Sequence, residues 1–152
     1  MKYSNESAKE FSDLHYGTDV KGVSNLYADG SIPQGHGYYS DGDLVYNSAG
    51  NRVRDLTVHQ GIGNSDVYLF KEAFMSKPQL FLTMGHEYGH AYFNTLSFTL
   101  DIKNAHSIIN TWEYQQASLL NYNVNYYEYL YERAIKVYRY TYFPFVPRDI
   151  KF

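Results

Sequence analysis

His86 and His90, four residues apart with Glu87 beside the first, require a helix around them if they are to act together. On a helix, four residues advance about 6 Å and little more than one turn. Both imidazoles then leave one face and can bind a single metal ion. Glu87 projects about a quarter turn away, close enough to reach a water at that metal without displacing it. The neighbouring residues supply the helix. Ser76 suits an N-cap, and Pro78 falls in the first turn, where its missing N–H costs nothing. Leu80, Phe81, Met84, Tyr88, Ala91, Tyr92 and Thr95 repeat at helical spacing without an interrupting proline. The pattern predicts a helix from about Lys77 to Leu96. Gly89 costs about 1 kcal/mol against alanine inside it, which points to a close approach by another backbone or by a metal site.

His86-Glu87-Tyr88-Gly89-His90 is the HExxH pattern of zinc-dependent hydrolases. Catalytic zinc keeps three protein ligands and one open position for water, so Zn2+ needs a third residue. Asp101, His106, Glu113, Glu128 and Glu132 are the downstream candidates. Leu96 stands where a histidine six residues after His90 would complete a metzincin pattern, so that pattern is excluded. Glu113 is the expected third ligand. It lies on a mostly apolar helical face with His106, Ile109, Asn110, Ala117 and Leu120, and a metal would neutralise a carboxylate buried there. His106 is the main rival; two turns before Glu113 on the same face, it could instead donate to a transition-state oxygen. Asp101 reads as an N-cap, Glu128 as a cap residue and Glu132 as an i,i+4 partner of Lys136. His15, His36 and His59 fall in turn-rich or weakly patterned segments and carry no signal of ligation.

The 152 residues suit one domain, 1–152, with a substantial core. A net charge of −3 and a pI near 6 give no general attraction to nucleic acid or an anionic membrane. The absence of cysteine excludes disulfides and thiolate metal sites. The polar start, Met1 to Gly17, carries no signal peptide, and no stretch approaches the roughly 20 apolar residues of a membrane span. A soluble chain is expected, possible also as part of a longer secreted protein. Eighteen tyrosines are unusual, and nine of them lie between Tyr114 and Tyr142. Amphipathic helix packing accounts for them; a tyrosine-rich recognition surface is the alternative.

Ser7 and Glu10 resemble a capping box for a short helix closed by Gly17. Lys21 to Asn64 is rich in turn signals and predicts two or three short strands, with a hairpin around Ser48 to Asn51. Asp66 to Lys71 is the strongest strand. Helices are predicted from about Lys103 to Asn121 and from about Tyr126 to Tyr142, the last capped by Asn125 with Glu128. Strands first and helices after them define an α+β chain.

Met84-Gly85-His86-Glu87-Tyr88-Gly89-His90-Ala91-Tyr92, followed by Glu113 and Ala117, resembles the gluzincin zinc metallopeptidases. The texture is most similar to small bacterial metallopeptidase domains, including toxin domains at the C-terminal ends of Rhs-type polymorphic toxins. The resemblance covers roughly residues 80 to 120. It implies a zincin-like fold, with a small twisted sheet packed on the motif helix and its edge strand bordering a cleft. Asp66 to Lys71 is the expected edge, to which an extended peptide could add. The implied activity is a zinc endopeptidase with Glu87 as base, a polypeptide substrate and, for a toxin, an inhibitor or immunity protein. The alternative of a different class is a non-catalytic, metal-containing, tyrosine-rich binding module.

Overall fold

Ser4 opens the first helix, α1 (Asn5–Tyr16), by accepting a hydrogen bond from the Ser7 amide, and Gly17 closes it at φ +93°. The cap is therefore one turn earlier than a Ser7 box, because the Ser4 hydroxyl already satisfies the first free amides and leaves Ser7 inside the helix. In this computed structural model, residues 1–96, 102–134 and 143–152 are described. Strands β1 (Val23–Tyr27), β2 (Tyr39–Asp41), β3 (Leu44–Tyr46), β4 (Arg52–Val53), β5 (Asp55–His59) and β6 (Ser65–Leu69) follow. A short 3-10 turn, Lys71–Phe74, then leads into three helices: α2 (Lys77–Phe93), α3 (Ile102–Leu120) and α4 (Val124–Arg133). The chain is α+β, as the order of patterns predicts.

The strands form two small sheets. One has the order β2-β3-β4 and is antiparallel. Its β3–β4 turn is the hairpin predicted near Ser48 to Asn51. The Asn47 side chain accepts from the amides of Ala49 and Asn51 at 3.0 and 2.9 Å, and Gly50 takes the left-handed conformation the turn needs.

The other sheet has the order β1-β6-β5, with β6 parallel to β1 and antiparallel to β5. The strand expected at the edge, Asp66 to Lys71, is thus central. All five residues of β6 are buried, as a strand covered on both faces requires. Its direct connection to the helix says nothing of its place in the sheet. The edge beside α2 belongs instead to β5. There the alternation Asp-Leu-Thr-Val-His sends Asp55, Thr57 and His59 to one face and Leu56 and Val58 to the other. Leu56 and Val58 pack with Val45, Tyr68 and Phe70.

Helix α2 is the centre of the molecule. Ser76 caps it by accepting from the Gln79 amide, with Pro78 in the first turn as expected. It contacts the sheet, α1 and α3, and it is buried on nearly every side rather than along one stripe. Gly85 and Glycine 89 on this helix have side-chain packing reasons. A methyl at position 85 would overlap the Trp112 ring and the Tyr16 hydroxyl, and one at Gly89 would press on Ile109 and Phe143.

Helices α3 and α4 are joined by a tight turn in which Asn121 and Asn123 both have positive φ. Helix α4 begins at Val124, so Asn125 lies inside it rather than capping it. It ends at Arg133, because Ala134 turns to extended backbone (ψ 148°) as its C-cap, so the helix predicted to run to about Tyr142 is broken there; residues 135–142, with Lys136, lie outside the described residues, as does Asp101. Tyrosines in and around the core satisfy their hydroxyls locally: buried Tyr88 pairs with Ser12 at 2.7 Å, half-buried Tyr16 donates to the Phe81 carbonyl and half-buried Tyr122 to Gln79. In the tyrosine-rich run, Tyr127 is buried, whereas Tyr126 and Tyr129 are exposed on α4. Among the described residues, no helix is long and apolar enough to cross a membrane.

Candidate metal centre

Three elements meet over a cleft of about 280 Å3, lined by Asp55, Thr57 and His59 of β5, by His86, Glu87 and His90 of α2, and by His106 of α3. The i,i+4 spacing sets His86 and His90 side by side, with their Nε2 atoms 3.2 Å apart. His106 comes in from α3, its ring centroid 4.8 Å from that of His90 and 5.6 Å from that of His86. One ligand-type nitrogen from each of the three residues lies within 4.8 Å of the others.

These donors fit Zn2+. Bonds of 2.0–2.1 Å in a tetrahedral site place two nitrogens about 3.3 Å apart. The His86–His90 separation already has that value. Three imidazoles with an adjoining open cleft also match the donor set of a catalytic zinc site.

Glu113, the expected third ligand, meets His86 on its other nitrogen. Its carboxylate accepts a hydrogen bond from Nδ1 of His86, on the side of the ring away from Nε2. It is not among the ligand atoms that converge with His90, and the third imidazole of the cluster is His106. The reason is axial distance. His106 and Glu113 are two turns apart on α3, about 10 Å along the axis. The His86 ring presents Nδ1 to Glu113, while its Nε2 lies beside Nε2 of His90. Metal-binding histidines commonly hold a carboxylate in this way, which fixes the tautomer and the ring orientation.

Glu87 is 4% exposed and points into the same cleft. Its Oε1 accepts from the Thr57 hydroxyl at 2.7 Å, while its Oε2 stands 3.8 Å from His86 Nε2. One oxygen is therefore anchored and the other faces the imidazole cluster. Burial, reinforced by the facing Asp55 carboxyl, pushes Glu87 up to about 8. Burial raises Asp55 as well, and the two acids share a hydrogen bond. Burial, with His86 and His106 adding to it, drives His90 down to about 2, so its imidazole is neutral as a metal ligand must be. Burial also lowers His106. At His86 burial opposes charge, but Glu113, Glu87 and Asp55 together prevail and raise it to about 10.

Asp55, Thr57 and His59 carry no recognised motif, and sequence reasoning missed all three. The available signal was the strict polar–apolar alternation of β5, whose polar face reads as solvent-exposed until the helix is packed against it. Glu128 lies near the Tyr114 hydroxyl on the outside, and Glu132 is exposed on α4. A larger cavity of about 770 Å3 is lined by Tyr16, Phe81, Trp112 and Phe145, among others, and includes none of the clustered imidazoles. It has volume without the chemistry, so the smaller cleft is the candidate site.

No protein-family model matches the chain, and neither does any curated protein or solved structure.

Proposed function

We propose that the cleft is the active site of a zinc-dependent hydrolase that cleaves peptide bonds, in a zincin-like fold. The observation that carries this reading is the meeting of three imidazoles with an anchored glutamate in one open cleft. A purely structural metal site needs no such base.

His86, His90 and His106 would hold the zinc, and Glu113 would keep His86 presenting Nε2 to it. When bound, zinc supplies Lewis acidity, enough to bring the pKa of a water from 15.7 to about 7. Glu87 takes a proton from the attacking water with the oxygen that Thr57 leaves free, then delivers it to the departing amine. The edge of β5, which pairs with no other strand among the described residues, runs along the cleft, where an extended polypeptide can add by main-chain hydrogen bonds. This supports a polypeptide substrate and replaces β6 as the docking edge. The motif texture shared with Rhs-type toxin domains extends the proposal to a bacterial toxin or effector, with an inhibitor or immunity protein as its partner.

Glu87→Gln tests the chemistry. The variant is expected to bind zinc and melt like the parent while its hydrolysis of a denatured-protein or peptide-library substrate falls by on the order of 100- to 10,000-fold. Equal cleavage by the two proteins would remove Glu87 as the base. Zinc uptake with no hydrolysis by the parent, combined with metal-independent peptide binding, would favour the tyrosine-rich binding module.

A further inference from the structure

With His106 in the imidazole cluster, the donor for the developing oxyanion has to come from another side chain. His59 lines the same cleft from the end of β5, on the face that also carries Asp55 and Thr57. It is a solvent-facing residue at the cleft mouth, whereas Glu87 and His90 lie deeper.

Its ring is held by a chain of hydrogen bonds that reaches back to the motif helix. Nδ1 of His59 is 2.8 Å from the Ser65 hydroxyl, and Ser65 is fully buried. The Asn94 side-chain amide donates to that same hydroxyl oxygen at 3.3 Å. Asn94 is the C-cap of α2, and it also holds the β5–β6 turn, donating to the Gly61 carbonyl at 2.8 Å and accepting from the Gly63 amide.

Which of His59 and Ser65 donates depends on the ring tautomer, and the buried hydroxyl favours one assignment. Asn94 can only donate through its NH2 group, so the Ser65 oxygen accepts. The buried Ser65 O–H must then find an acceptor of its own, and Nδ1 of His59 is within reach. An imidazole that accepts at Nδ1 carries its proton on Nε2 when neutral. Partial burial of the ring lowers its pKa, which favours that neutral form. Among the described residues, no hydrogen bond engages Nε2.

We propose that His59 is the oxyanion-stabilising donor of this site, its Nε2–H directed at the carbonyl oxygen of a peptide as that carbon becomes tetrahedral. Ser65 and Asn94 are positioning residues that set the tautomer. This rests on the hydrolase reading above. It makes the β5 edge bifunctional: the backbone aligns the peptide and the last side chain of the strand meets the reacting oxygen.

Cobalt-loaded protein provides the test, read through its visible absorption. The probes are N-phosphoryl-Leu-Phe, a tetrahedral anion on a dipeptide, and azide, which needs only the metal. His59→Leu is expected to bind one cobalt and to bind azide like the parent, but to bind the phosphoryl dipeptide on the order of 10- to 100-fold more weakly, as loss of one oxyanion donor implies. His59→Gln retains an N–H donor and should recover most of that loss. Unchanged phosphoryl-dipeptide affinity in His59→Leu overturns the assignment. So does a parallel loss of azide binding, which would mean that His59 supports the metal site itself. A parent protein that takes up cobalt but ignores the phosphoryl dipeptide also overturns it. Failure of the parent to take up cobalt overturns the underlying metal reading, and is seen before any probe is added.

Discussion

A carboxylate on Nδ1 of His86 decides which nitrogen of that ring faces the cleft, and this separates the roles of two residues on one helix. In the proposed site, Glu113 would orient and His106 would ligate. The distinction has a measurable consequence. Glu113→Gln should weaken zinc binding by about 10- to 100-fold, the usual cost of losing such a carboxylate. His106→Ala should cost more, because one of three direct ligands goes. Competition against a chromophoric chelator gives both values. Near-normal affinity in His106→Ala beside abolished binding in Glu113→Gln would return the third-ligand role to Glu113. The two motif histidines and Glu87 were legible because their relation is local, fixed by helical spacing alone. The division between His106 and Glu113 was not, since it depends on how far α3 slides along α2. Both residues were singled out, but a shared helical face gives no axial position.

At the scale of elements, α2 illustrates a contest between propensity and packing. Gly85→Ala should gain about 1 kcal/mol from helix propensity. The added methyl has no room between Trp112 and Tyr16, and overpacking of this kind costs about 1–3 kcal/mol. The Trp112 ring is wide, rigid and buried, so packing is expected to win by about 1–2 kcal/mol. At about 2–4 °C per kcal/mol for a chain of this size, the melting temperature should fall by several degrees. A rise would show that α3 can move away from α2 at little cost. The α2 boundaries were readable because Ser76 and Pro78 are strong start signals. The edge position of β5 was hidden: strand order depends on partners distant in sequence, and β1 lies 38 residues before β6, counting from Tyr27 to Ser65. A sequence pattern of polar alternation marks a half-buried strand without saying what covers its polar face.

For the molecule as a whole, the centre ties together elements from both halves of the chain. Zinc would bridge α2 and α3, and β5 would be held to α2 through Thr57 and Glu87. A ligand that binds only the folded chain stabilises it by about 2.7 kcal/mol at a hundred times its dissociation constant. Zinc at that excess should therefore raise the melting temperature by roughly 5–10 °C, and a chelator should reverse the gain. An unchanged melting temperature would argue against a preformed site. The α+β class was legible in the order of turn-rich and helical segments. The assembly of the cleft from β5, α2 and α3 was not, because it is a product of tertiary packing.

The most direct measurement is the zinc-to-protein ratio by elemental analysis, after zinc loading and removal of excess metal. The account predicts a ratio near one for the parent protein. A ratio near zero would contradict it, leaving HEYGH as a chance pattern on a buried helix and His86, His90 and His106 as a cluster without a metal.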